Sequence, residues 1–403
     1  MPSLPAPAEQ AKHFCLEAGV VFLNHGSFGA CPRPVLAEQD RLRVRLEQEP
    51  VRFFLQEAPV LLGRARAALA ELVGADEQDL VFVANATTAV NAVLRSLDLR
   101  PGDELLETDH SYNACRNVLR YLAARTGALV RTVALPLPIS GPQEVVERVL
   151  QEVTPRTRLA LLDHVTSPTA LVLPVAELVR ALQERGVDTL VDGAHAPGML
   201  PLDLRALGAA YYAGNCHKWL CTPKGAGFLY VRRDRQVGLV PPVISHGYNA
   251  PPSEQPRLHA LFDWTGTVDP TPALCVPAAI AFLSGLMPGG LAALQERNRQ
   301  LACQARQVLC AALGLPPPCP QQMLGSMAAV PLPDEDRGTP RSPLQPDPLQ
   351  TELRERFGIQ VPIMSWPAWP HRLLRISAQA YNSLAQYEYL AEALGTLLGA
   401  SRR

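Results

Sequence analysis

The chain has 403 residues, a length that suits two packed units better than one. Its 37 basic and 38 acidic residues leave a formal net charge of −1, which argues against a nucleic-acid or anionic-membrane partner. The opening MPSLPAPAEQ has no secretory pattern, no apolar run of about 18 residues suggests a membrane span, and nine scattered cysteines without a CxxC pair fit reduced thiols in a cytoplasmic protein.

From Leu80 to Val231 short β-rich runs alternate with helical patterns. Leu80 to Val83 reads as a strand. After Asn85-Ala86-Thr87-Thr88 comes a helix with Val90, Val93, Leu94 and Leu97 on one face. Glu104 to Leu106 is strand-like, and Asn117 to Ala124 is helical. Leu159 to Leu162 and Thr189 to Val191 are further strands. Between them Val175, Leu178, Val179 and Leu182 recur at helical spacing, with Pro174 starting the helix and Gly186 ending it. This rhythm predicts an α/β fold with a mainly parallel sheet and helices on both faces. Residues 236–272 read as loop-rich, 277–313 as helical, and the Pro-rich stretch 314–348 as containing a mobile loop. A strand at Leu373 to Ile376 and a helix after Asn382 complete a smaller C-terminal domain.

Three short segments carry the chemistry. In Gly214-Asn215-Cys216-His217-Lys218-Trp219 a lysine sits in an apolar, aromatic setting just before a Gly-rich turn and the strand Phe228 to Val231. A lysine in a dry site has a lowered pKa and forms an imine with an aldehyde. In Val191-Asp192-Gly193-Ala194-His195 an acid follows a buried-type strand, where a parallel sheet binds ligands. A carboxylate there pairs with a protonated pyridine nitrogen, or merely caps a turn. Asn85-Ala86-Thr87-Thr88, at a strand-to-helix junction, is either a phosphate site or an ordinary helix cap. A nicotinamide enzyme would need G-x-G-x-x-G after the first strand; the junction here is Asn-Ala-Thr-Thr.

In this order, phosphate junction, aspartate and lysine resemble the fold-type I enzymes of pyridoxal 5′-phosphate (PLP), specifically the class V aminotransferase family and its isopenicillin N epimerase-like branch. Phe22 to Gly29 (FLNHGSFG), Thr108 to Tyr112 (TDHSY), Trp264 to Asp269 (WTGTVD), Arg375-Ile376-Ser377 and Tyr381-Asn382 extend the resemblance. It implies a large domain with a mainly parallel sheet of the seven-stranded type, plus a smaller α+β C-terminal domain. The expected division is an N-terminal segment 1–50 packed on the small domain, a PLP-binding domain 51–270 and a small domain 271–403.

The resemblance also implies roles. Lys218 is the Schiff-base lysine and proton shuttle, Asp192 binds the pyridine nitrogen, and His195 lies near the phenolic oxygen. Ala86 and Thr87 hold the phosphate with His217. Asn215 stands where relatives often carry a serine for that phosphate, and Ser167 where cysteine desulfurases carry an asparagine. His110 stacks on the ring, with Tyr112 as the alternative. Thr267 resembles the residue that reaches the phosphate of a neighbouring subunit, so a homodimer with shared active sites is expected. Arg375 clamps the substrate carboxylate unless it makes a surface ion pair, and Asn24 and His25 line the entrance. Trp366 and Trp369 either line the pocket or pack the small domain. No metal site is expected. The implied reaction is epimerisation at the α-carbon of an amino acid or derivative; the alternatives are a C–S β-lyase on a cysteine conjugate, an aminotransferase, or a non-catalytic relative. Residues 320–403 contain no cysteine, which argues against persulfide chemistry of the desulfurase kind.

Overall fold

Unbroken apolar runs such as Leu159 to Leu162 suit strands covered on both faces, and they become the centre of the large sheet. The computed structural model describes residues 4–335, 340, 342 and 345–400. Its strands are β1 (Val21–Phe22), β2 (Leu80–Val83), β3 (Glu104–Thr108), β4 (Leu129–Val133), β5 (Thr157–Asp163), β6 (Asp188–Gly193), β7 (Tyr211–Asn215), β8 (Gly227–Val231), β9 (Met327–Leu332), β10 (Ile359–Gln360), β11 (Ile363–Ser365) and β12 (Arg372–Ser377). A seven-stranded sheet runs in the order β2-β8-β7-β6-β5-β3-β4. Neighbours from β7 to β4 pair in parallel, whereas β8 is antiparallel to both β7 and β2.

Parallel neighbours need crossover segments, and the amphipathic stretches supply them. Val175–Gln183 links β5 to β6 and buries Val175, Leu178, Val179 and Leu182, the residues picked out by spacing. Ala86–Arg95, opening directly after β2, buries Ala89, Val90, Val93 and Leu94 against the sheet. The carboxyl ends of β5, β6 and β7 therefore converge with the start of that helix.

The second, smaller sheet is antiparallel, in the order β11-β12-β9. The helices Gly290–Leu313 and Leu384–Ala400 accompany it. β1 pairs in parallel with β10 through Val21 and Ile359, which ties the start of the chain to its C-terminal third. One apolar core joins the parts, taking in Leu23, Leu162, Val191, Leu374 and Ile376.

The helical stretch expected over 277–313 is two helices, Val276–Gly285 and Gly290–Leu313. Gly289 and Gly290, at φ +86° and +67°, break it with a left-handed turn. The Pro-rich stretch expected to contain a mobile loop includes β9; its positions 336–339, 341, 343 and 344 lie outside the described residues. Strand β7 went unread in the sequence because Tyr211 to Asn215 are all buried, so no alternation marks them. Among the described residues no single helix is long and apolar enough to cross a membrane.

Gly29 shows how the N-terminal segment fixes the lysine loop. It has φ +71°, and a Cβ there would lie 2.2 Å from the His217 carbonyl oxygen and 2.9 Å from that of Lys218. Gly29→Ala should destabilise the protein by at least about 1–3 kcal/mol, the usual cost of a strained backbone. Gly63→Ala, inside Ala58–Val73 with nothing within 4 Å, should instead stabilise by about 0.5–1 kcal/mol. Denaturant unfolding of both variants checks the contrast.

Candidate active site

Where β5, β6 and β7 end, a cavity of about 240 Å³ opens. Of the residues singled out in the sequence, Ala86, Thr87, Tyr112, Ser167, Asp192, His195, Asn215, His217 and Lys218 line it. Segments more than a hundred residues apart meet here because each follows a strand of the same sheet.

The junction after β2 forms one wall. Asn85 caps the helix: its Oδ1 accepts from the Thr88 N–H at 2.9 Å. Asn215 Oδ1 accepts from the Ala86 N–H at 2.8 Å, which binds the end of β7 to the helix start. These two contacts use the first and third N–H groups. The Thr87 N–H and hydroxyl remain at the cavity beside the positive end of the helix dipole. Gly227 lets the strands approach this turn, since a Cβ there would lie 2.8 Å from Asn85 Cα. His217 donates from Nδ1 to the Ala226 carbonyl at 2.8 Å, leaving Nε2 as its second polar atom. Burial first, and the nearby Lys218 and Lys224 charges after it, bring its pKa down to about 4.

Lys218 is half-buried at the cavity wall. Burial, then the Arg375 charge, lowers its pKa from 10.5 to about 8, against an opposing pull from Asp192. Its Nζ lies 3.2 Å from His195 Nε2. Trp219 settles the direction of that hydrogen bond. The indole N–H donates to His195 Nδ1 at 3.3 Å, and an indole can only donate. His195 Nδ1 is thus the acceptor and Nε2 carries the proton in the neutral ring. Burial holds His195 well below its usual range. The neutral imidazole therefore presents an N–H to the lysine, which the amine accepts once it has lost its proton.

On β6, Asp192 Oδ1 accepts from the Ala194 N–H at 3.0 Å and Oδ2 from the Cys115 thiol at 3.3 Å. Asp163, the last residue of β5, is its direct cross-strand neighbour and also lines the cavity. Behind Ser27 and Ser167 lies Arg375, with Nη1 donating to the Ser167 carbonyl at 2.6 Å and Nη2 to Ser27 Oγ at 3.0 Å. Its Nε has no partner, and among the described residues no carboxylate pairs with it. Burial lowers its pKa to about 10.

Several expected site residues lie elsewhere. His110 is fully buried, with Nδ1 2.7 Å from Thr169 Oγ1 and Nε2 3.1 Å from the Leu135 carbonyl. Both ring nitrogens are engaged by neighbouring loops, and the cavity is lined by Tyr112 and not by His110. His25 does not line an entrance. It is buried, its Nε2 donates to the Lys218 carbonyl at 3.0 Å, and Nδ1 lies 2.8 Å from the Tyr381 hydroxyl. It braces the lysine loop from behind. Asn24 is likewise buried and accepts from Ser27 Oγ at 2.6 Å, which orients Ser27 towards Arg375. Arg375 is one layer behind the wall, and its burial rules out the surface ion pair. Thr267 is exposed and away from this cavity. Trp366 borders a second cavity, and Trp369 lines neither. Sequence reasoning missed Ser27, Phe28, Asp163, Cys115 and Trp219 as parts of the site. The acidic end of an apolar strand was a usable signal for Asp163, as it was for Asp192.

The donor set fits PLP. Thr87 and His217, at a helix N-terminus, offer a dianion its donors. Asp192 offers a ring nitrogen its carboxylate, His195 Nε2–H offers an oxygen its donor, and Lys218 is an amine whose pKa is lowered to about 8. The buried, unpartnered Arg375 Nε and Asp163 Oδ2 are polar atoms that the protein alone leaves unsatisfied.

Comparison with known proteins agrees. Residues 51–336 match the aminotransferase class-V family. The chain is 40% identical to the isopenicillin N epimerase of Amycolatopsis lactamdurans, over 97% of this chain and 98% of that one. It is 38% identical to the isopenicillin N epimerase of Streptomyces clavuligerus, over 95% and 96%. A probable chloroplastic L-cysteine desulfhydrase of Arabidopsis thaliana is 32% identical over 93% and 82%. Among solved structures, a C-DES mutant with glycine covalently linked to its PLP cofactor superposes with a TM-score of 0.78 at 23% identity, covering 96% of this chain and 98% of that one. The chain belongs to the aminotransferase class-V family and is a PLP-dependent enzyme acting on an amino acid or amino-acid derivative.

Only an unprotonated amine adds to an aldehyde. Covalent uptake of PLP by the cofactor-free protein should therefore quicken as pH rises, with a midpoint near 8 set by the lysine. Stopped-flow absorbance follows the rate, and borohydride reduction with peptide mapping should place the label on Lys218. Lys218→Ala should give no reducible product.

Proposed function

We propose that this protein is an epimerase that inverts the α-carbon of an amino acid bearing an extended side chain. The observation that carries the reading is Lys218 Nζ, a desolvated base hydrogen-bonded to a neutral histidine in a cavity lined by no cysteine. When bound at Thr87, His217, Asp192, His195 and Lys218, PLP supplies an electron sink for the pair of electrons left at the α-carbon. Lys218 Nζ takes the α-proton. Arg375, with the Ser27 and Ser167 hydroxyls in front of it, binds the substrate carboxylate and holds the α-carbon in place. Inversion needs a proton returned to the other face; Tyr112, whose phenol pKa is raised by partial burial and the nearby Cys115 and Asp192, is assigned that donation. Tyr112 and Ser167 also border the adjoining cavity of about 320 Å³ with Arg116 and Trp366, which supports a side chain longer than that of cysteine.

A second reading, β-elimination from a cysteine conjugate, is favoured by the desulfhydrase relatives and needs no protein thiol. Persulfide chemistry is disfavoured on the same ground, since none of the nine cysteines lines the cavity. The free thiols also suit a reducing, cytoplasmic setting. We further assign the exposed Thr267 to the phosphate site of a second copy, making the homodimer the working unit. Sedimentation should give a dimer, and Thr267→Ala should weaken PLP retention without changing the fold.

The test is incubation of the holoenzyme in D₂O with isopenicillin N, L-α-aminoadipate, L-cysteine and S-alkyl-L-cysteines. Deuterium at the α-carbon together with the D-configured product is the expected result for the long side chains. Release of pyruvate with sulfide or thiol would transfer the assignment to the lyase, and a keto acid with loss of the amino group to an aminotransferase. Arg375→Ala should lower kcat/KM by about 10- to 100-fold, the factor for losing a hydrogen bond to a charged group, chiefly through KM.

A further inference from the structure

Asp163 has no part in the chemistry derived so far, yet its position is closely set. It ends β5 directly opposite Asp192 on β6. Adjacent parallel strands are about 4.8 Å apart, and directly opposed residues point to the same face. Both carboxyl groups therefore line the same cavity, and both side chains are buried. The charged groups acting on Asp163 are Asp192 and Glu107 from β3, both carboxylates. The Ser111 hydroxyl and the Tyr112 backbone N–H, from the turn after β3, favour its ionised form. From the following helix the Cys115 thiol is already given to Asp192. Among the described residues Oδ2 of Asp163 has no partner.

Two carboxylates sharing a dry site do not both ionise. Asp192 accepts an N–H on Oδ1 and a thiol on Oδ2, so both of its oxygens are already engaged. Asp163 lacks a partner at Oδ2, where a carboxylic acid would carry its proton. We propose that Asp163 and Asp192 form a carboxyl–carboxylate pair carrying one proton, with Asp163 the acid and a positioning residue for Asp192. The pair then presents one negative charge to the one positive ring nitrogen that the site accepts. Two full charges would leave an uncompensated anion in the floor of the cavity. Burial and the neighbouring Asp192 both raise the Asp163 pKa well above the usual carboxylate range, in the direction the geometry requires.

The inference rests on the PLP reading, but its test separates the two. Asp163→Asn keeps a neutral group of the same shape with an N–H donor; Asp163→Ala removes it. Infrared spectra of the holoenzyme at neutral pH should show a carboxylic-acid C=O band that shifts in D₂O and vanishes in Asp163→Asn. Asp163→Asn, which keeps a neutral group at this place, should lose clearly less PLP affinity than Asp163→Ala or Asp192→Asn and should leave the visible band of bound PLP in position. Affinity should fall about tenfold or more in Asp163→Ala and in Asp192→Asn. Unchanged infrared spectra between wild type and Asp163→Asn would overturn the pair. So would an Asp163→Asn protein that loses PLP as Asp192→Asn does, since that would make Asp163 a working charge. The infrared band reports on the pair even in protein that takes up no PLP, an outcome that would strike the cofactor reading alone.

Discussion

A lysine amine taken out of water into a protein interior escapes the cost of a buried charge either by pairing with a carboxylate or by giving up its proton. Lys218 is placed to do the second. Its hydrogen-bond neighbour is a neutral histidine whose proton already sits on the facing nitrogen, and that tautomer is imposed by the indole of the next residue in the chain. The Arg375 guanidinium nearby adds a like charge. The amine is thus kept as a nucleophile and base without any separate activating group. The surrounding structure works to hold the lysine backbone where this is possible: His25 on its carbonyl, Tyr381 behind His25, and Gly29 pressed against His217 and Lys218.

The distribution of charge through the cavity follows the same economy of unmet polar groups. One end has a helix N-terminus whose second N–H is unclaimed. The floor has two carboxyls with a single unsatisfied oxygen between them, and behind one wall stands a guanidinium with no anion. The helix end and the guanidinium are costly for the protein by itself, and each is relieved by a different part of one anionic, heteroaromatic ligand and its amino-acid partner. The arrangement is best understood as a set of incomplete interactions, stable because a rigid sheet and a continuous core over-determine it. The N-terminal strand is part of that frame. Val21 and Phe22 pair with the C-terminal third of the chain, and seven residues after Phe22 the same segment lies against the lysine loop at Gly29.

The sequence alone determined the alternating strands and helices of the first half, since amphipathic spacing at Val175 to Leu182 and unbroken apolar runs are local properties. It also marked Lys218, Asp192 and the Asn85 to Thr88 junction, because a charged or capping residue straight after a buried strand stands out one segment at a time. Tertiary structure decided what those marks could not contain. Whether His110 or Tyr112 borders the cavity depends on which way the turn after β3 rolls, and the Thr169 hydroxyl and Leu135 carbonyl that claim His110 come from other loops. Asn215 proved to be a brace on the Ala86 N–H, and His25 a brace on Lys218, because their partners are 129 and 193 residues away. Asp163 became a neighbour of Asp192 only through the register of β5 and β6, a contact that pairing of distant strands creates and no single stretch of sequence encodes.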